Sequence, residues 1–174
     1  MSINTASRTG AKRFPPPIPQ GAPGRFRPHR FVKEFEITGP RDAVWEWVND
    51  PRTFTDSQVW PWRVEFVDGG METGVLNIHH GPLMSFAGVV GEMRRPAYRD
   101  LRYLYGSYAL SLRWIRPTRL EFLIEEPGPG RTRVRMRLES LVRPGLHGVW
   151  TTLLRLYWAL FPFFARRGVR RRLA

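Results

Sequence analysis

Hydrophobic and polar positions alternate cleanly just before residue 39. Phe31, Phe35 and Ile37 fall on one side of a two-residue period and Val32, Glu34 and Glu36 on the other, which predicts a half-buried strand. Gly39-Pro40 ends it, and proline suits the first turn of a helix, where the N–H it lacks has no partner. Asp42 follows in that turn, its charge facing the positive helix end. Val44, Trp47 and Val48 make an i, i+3, i+4 apolar stripe, so a short amphipathic helix should follow the strand directly. The stretch NDPRTFTDSQVWPW at 49–62 predicts a second short helical piece, with Asp50-Pro51 as the break between them.

A strand-rich block comes next. Val64 and Phe66 alternate with Arg63 and Glu65, Asp68-Gly69-Gly70 makes a turn, and Leu76, Ile78 and His80 alternate with Val75, Asn77 and His79. Gly81-Pro82 turns again, 84–93 is a further strand, and Leu101, Tyr103 and Tyr105 lie opposite Arg102 and Leu104. Leu110, Leu112 and Trp114 follow, then Leu120, Phe122 and Ile124. In this region 107–126 predicts either an extra strand or one long strand bent at Arg116-Pro117. After PGPG at 127–130, Val134, Met136 and Leu138 face in while Arg133, Arg135 and Arg137 face out. Consecutive strands joined by short turns predict an antiparallel meander with one wet face. The chain closes on a helical stripe of Trp150, Leu153, Leu154, Tyr157, Phe161 and Phe164, with arginines from Arg166 to Arg172 at its end, where the helix dipole favours cations.

The 174 residues suit one domain with a tail, large enough for a core that contains a pocket. Residues 1–28, with PPPIP and GAPGRFRP, read as a flexible Pro/Arg-rich tail. Positive charge at the start is followed by no apolar run, so no signal peptide is expected. The absence of cysteine excludes disulfides, thiol nucleophiles and thiolate metal sites. The formal net charge of +13 invites anionic partners. Almost all of it is arginine, lysine occurring only at Lys12 and Lys33, a bias that genome composition produces as readily as phosphate binding. Charge alone is nonspecific and no nucleic-acid motif accompanies it, so nucleic acid is not the expected partner.

Three stretches carry a family resemblance: FEITGPRDAVWEWVNDP at 35–51, W-x-V-x-F at 62–66, and VVGEMRRPAYRDLRY at 89–103. With the order of elements around them, they resemble the START/SRPBCC superfamily, the helix-grip fold of polyketide cyclase/dehydrase-like and lipid-transfer proteins. The resemblance covers residues 29–174. It implies an α+β fold: a curved antiparallel sheet of about seven strands wrapped around a long C-terminal helix, with two short helices after the first strand. It also implies a cavity between sheet and helix for a hydrophobic or aromatic small molecule, lipid or polyketide-like. The motifs are structural and name no catalytic residue. A cyclase or dehydratase is therefore an alternative to simple binding.

The strand faces that carry the apolar residues also carry His80, Tyr103, Tyr105 and Trp114, and the final helix adds Trp150 and Tyr157. Together they make a candidate ligand-binding set, an aromatic wall with a few polar tips, although each alone is also an ordinary core residue. His80 is the candidate proton-transfer group. No metal or cofactor is expected, because His79 and His80 point to opposite faces of a strand and no zinc-binding spacing occurs. The helix at 149–165 is too short and too interrupted, by Arg155 and Pro162, to span a bilayer. Its flanking Arg166, Arg167, Arg170, Arg171 and Arg172 instead suggest contact with an anionic membrane surface or a second subunit. A cytoplasmic protein is expected, peripheral at the membrane if attached at all.

Overall fold

The computed structural model describes residues 23–55, 63–67, 70–81, 84–108 and 113–174. The tail up to residue 22, the end of the second helical piece at 56–62, Asp68-Gly69, Pro82 and Leu110–Leu112 lie outside the described residues. The strand predicted first is β1, Arg27–Thr38, preceded by one 3-10 turn at Pro23–Arg25. Phe31, Phe35 and Ile37 are buried and Val32 is exposed, as the alternation requires. The chain then turns through Gly39, at φ 145°, into α1, Arg41–Asn49, and α2, Pro51–Thr55. Val44, Trp45, Trp47 and Val48 of α1 and Phe54 of α2 go into the core.

Six strands follow: β2 Arg63–Phe66, β3 Leu76–Gly81, β4 Met84–Arg94, β5 Tyr98–Tyr108, β6 Ile115–Gly128 and β7 Arg131–Val142. With β1 they form one antiparallel seven-stranded sheet in the order β1-β7-β6-β5-β4-β3-β2. The chain thus crosses from one edge to the other through α1 and α2, then meanders back. β6 is a single long strand rather than two, and its register shifts between Pro117 and Arg119. A bulge at that point accommodates a residue that has no N–H for the ladder.

The C-terminal helix comes in two segments, α3 His147–Tyr157 and α4 Phe161–Leu173, with Pro162 in the first turn of α4. Trp150, Leu154, Trp158, Phe161, Ala165 and Val169 face the sheet and are buried. Leu153, which spacing alone puts in this stripe, is 39 % exposed, at the margin of the face that Trp150 and Leu154 bury. Phe161 is the hub, its ring 5.2–6.1 Å from those of Phe35, Trp47, Phe122 and Trp158. Gly168 lets α4 lie directly on α1: a Cβ there would sit 1.9 Å from Trp47 Nε1.

The outer face of the sheet absorbs much of the arginine. Glu34 and Glu36 of β1 pair with Arg131, Arg133 and Arg135 of β7. Nearer the middle, fully buried Asp100 accepts from Arg119 Nε at 2.6 Å and from the Glu92 backbone N–H at 2.6 Å. Tyr98 donates to Glu121 at 2.8 Å, and Arg137 pairs with the same carboxylate. Among the described residues no helix is long and apolar enough to cross a membrane.

Candidate functional site

Between the inner face of the sheet and the α3–α4 break lies a cavity. Val64 and Phe66 of β2, Leu101 of β5, Leu120 and Phe122 of β6, Phe54 of α2, Met71, Trp158 and Phe161 supply its apolar wall. Two polar side chains enter it, His79 from β3 and Arg99 from β5. The cavity between these groups measures about 30 Å3, room for about one or two waters.

Strand alternation puts the polar pair there. On β5 the inward set is Arg99, Leu101 and Tyr103, while Asp100 and Arg102 belong to the outer network. On β3 the register pairs Val64 with His79 and Gly88 with Asn77. Gly88 has no side chain, which leaves room for Asn77 Oδ1 and the Tyr103 ring, 3.0 and 3.4 Å from where a Cβ would be. Asn77 and His79 therefore face inward, and the His79 ring meets the Tyr103 ring edge-on at 5.2 Å.

Burial dominates the electrostatics. Desolvation, aided by the nearby Arg99 and His80, pushes the His79 imidazole down to about 3, so it is neutral at physiological pH. The Arg99 guanidinium is pushed down to about 9 by desolvation, which Tyr103 slightly counters. Burial also raises the Tyr103 and Tyr157 phenols, keeping both protonated. Arg99 leans on the Phe122 ring at 4.8 Å and on the Met71 sulfur. Among the described residues its Nε has no hydrogen-bond partner, and neither has His79 Nε2 nor either amide atom of Asn77.

The residues singled out from the sequence are distributed differently. His80 lies on the other face of β3 from His79, with Nε2 3.5 Å from Glu65 at the protein surface. Leu76 is 43 % exposed on the same side. The L-N-I-H-H pattern favours that face as the core face, but β3 lies next to the short edge strand β2, where solvent covers the outer side. Trp114 is 44 % exposed in the turn before β6, away from the cavity. Trp150 is buried against β7 and donates from Nε1 to Ser140 Oγ at 3.2 Å. Tyr103 and Tyr157 are brought near each other, close enough for Tyr157 to help raise the Tyr103 phenol, but neither is among the described residues that line the cavity. The side chain of Tyr105 lies outside the described residues. The residues that spacing missed are His79 and Arg99. Extending the Leu101–Tyr103 alternation back by two positions would have placed Arg99 on the inner face.

Solved structures share this fold. Norcoclaurine synthase from Thalictrum flavum, in complex with dopamine and hydroxybenzaldehyde, superposes with a TM-score of 0.66 at 12% identity, over 84% of this chain and 89% of that one. The Zhui aromatase/cyclase from Streptomyces sp. R1128 also gives 0.66, at 14% identity over 85% and 97% of the two chains. Ara h 8.0201 gives 0.62 at 11% identity over 83% and 99%. The chain has the helix-grip fold of these proteins. No protein-family model and no curated protein sequence matches it. In this helix-grip molecule the cavity lies where the sheet is closed off by the C-terminal helix, at the α3–α4 break.

Of the arginines near the C-terminus, Arg172 pairs with Asp50 at the α1–α2 junction and Arg166 donates from Nε to the Glu36 carbonyl at 2.9 Å. Arg167, Arg170 and Arg171 are exposed and make no ion pair among the described residues. Val149, Leu153, Leu156, Leu160 and Phe163 form an outer apolar stripe, each between 39 and 69 % exposed. Arg167 and Arg170 stand four and seven positions after Phe163, on the same side of α4.

Proposed function

We propose that this protein binds a hydrophobic or aromatic small molecule, lipid or polyketide-like, in the cavity beneath the α3–α4 break. The observation that carries this is an apolar-walled cavity that two polar side chains, His79 and Arg99, enter, each with a ring or guanidinium nitrogen that has no hydrogen-bond partner among the described residues, the usual composition of a ligand site. Burial of ligand surface at ~25 cal/mol per Å2 supplies the affinity, and the polar groups set orientation. An aromatic ligand exceeds the present space, so it enters as half-buried side chains such as Phe66 and Met71 swing aside. Dopamine and hydroxybenzaldehyde, the ligands named for norcoclaurine synthase above, are aromatic small molecules of that class. Titration with the uncharged fluorophore N-phenyl-1-naphthylamine tests the reading. Saturable one-to-one binding, abolished in a folded Leu120→Trp variant that fills the cavity, is expected. Non-saturating binding, or binding unaffected by Leu120→Trp, refutes it.

A second reading concerns the outside of the C-terminal helix. The Val149–Phe163 stripe, continued by unpaired Arg167, Arg170 and Arg171, suits an anionic membrane surface: apolar side chains reach the acyl boundary while guanidinium groups meet headgroups. Each such cation adds about 1 kcal/mol near an anionic surface. Co-sedimentation with phosphatidylserine-containing vesicles but not with pure phosphatidylcholine is expected, with loss in Leu156→Ser/Phe163→Ser. Absence of co-sedimentation together with a dimer by gel filtration that the same double variant dissolves would assign the stripe to a second copy instead.

A further inference from the structure

The geometry points to a ligand that carries an anionic group on its apolar body, with Arg99 as the group's receptor. This deepens the cavity-binding reading and rests on it. Carboxylates and guanidinium groups are sorted by face on β5 and β6. Asp100 and Glu121 point outward, where Arg102, Arg119 and Arg137 meet them. Arg99 points inward, is 2 % exposed and makes no ion pair among the described residues. Its contacts are an aromatic face and a thioether sulfur, both weak companions for a cation, and its Nε has no acceptor.

A buried cation without an anion is among the least stable arrangements a fold contains. A carboxylate, phenolate, sulfonate or phosphate in the cavity would supply the missing charge, and the planar guanidinium donates to a carboxylate, sulfonate or phosphate in a two-bond fork. The surroundings suit an anion and repel a second cation. His79 is neutral, its Nε2 facing the same space without a partner among the described residues, and none of the described residues lining the cavity is a carboxylate. Asn77 and Tyr103 border His79 on the same inner face and leave further hydrogen-bonding groups for the rest of the ligand.

The test compares two fluorophores that share one aromatic body, 8-anilinonaphthalene-1-sulfonate and uncharged N-phenyl-1-naphthylamine, on the whole protein. At least tenfold tighter binding of the sulfonate is expected, with the ratio falling towards one in Arg99→Met and part of it retained in Arg99→Lys. Near-UV circular dichroism verifies folding, and Arg99→Lys carries the comparison if Arg99→Met does not fold. Saturable binding of both fluorophores with no preference for the sulfonate overturns the anion inference while leaving the cavity reading in place. A preference that survives Arg99→Met also overturns it, since the exposed arginines of α4 would then hold the charge. If neither fluorophore binds one-to-one, the cavity reading falls and the inference with it.

Discussion

Replacing Arg99 by methionine should make the empty protein more stable, because the charge is buried without a partner. Burial lowers the guanidinium from 12.5 to about 9; at about 1.4 kcal/mol per pH unit, the folded state disfavours the cation by on the order of 5 kcal/mol. The Phe122 ring, 4.8 Å away, returns about 2 kcal/mol of cation–π attraction, which methionine loses. Relaxation around the charge reduces the penalty further. Methionine fills similar space with no charge and keeps a favourable sulfur–aromatic contact. A net gain of about 2 kcal/mol follows, or roughly 4–8 °C in Tm for a chain of this size. Differential scanning fluorimetry and urea melts at neutral pH measure it, on protein stripped of hydrophobic contaminants. A Tm that falls by several degrees refutes the reasoning: a carboxylate elsewhere in the chain would then already neutralise Arg99. Paired with the fluorophore comparison, the result would separate what the residue does for the ligand from what it does to the fold.

His79 predicts acid sensitivity. Its folded value of about 3 lies below the unfolded 6.5, so between those limits the unfolded chain binds a proton that the folded one does not, and stability falls with falling pH. Urea melts should show about 2 kcal/mol less stability at pH 5 than at pH 7 from this group, a difference removed in His79→Gln; an equal slope in both proteins would contradict it. Gly168→Ala should destabilise by about 1–3 kcal/mol, although alanine is the better helix former by about 1 kcal/mol, because the new methyl would meet the Trp47 indole 1.9 Å away. A raised Tm would mean that α4 shifts freely on α1. Asp100→Ala should cost about 3–5 kcal/mol by leaving the Arg119 Nε–H and the Glu92 N–H without their acceptor; a urea midpoint near that of the parent would show that water replaces the carboxylate.

Much of the architecture was written in local pattern. The period of two at Phe31–Ile37 and Val134–Leu138, and the i, i+3, i+4 set of α1, follow from how backbones of each type orient successive side chains. Those signals depend only on neighbours in sequence, and they suffice for the strands, the first helix and the wet outer face of the sheet. The site is another matter. Which face of β3 is internal depends on pairing with β2 and β4: Val64 opposite His79, and Gly88 making room for Asn77. A pattern of leucine and isoleucine on the other side cannot reveal this, since at the sheet's end solvent rather than helix covers that face. Arg99 has the composition of a surface residue, and only the stacking of β5 under the α3–α4 break removes it from water. The broken C-terminal helix likewise needs the packed Phe161 hub to show that Leu153, Leu156 and Phe163 face outward. Local periodicity determined the elements of this protein. The chemistry of its cavity was decided by register and by packing between distant strands and helices, because burial is a property of what lies across from a residue and not of its neighbours in the chain.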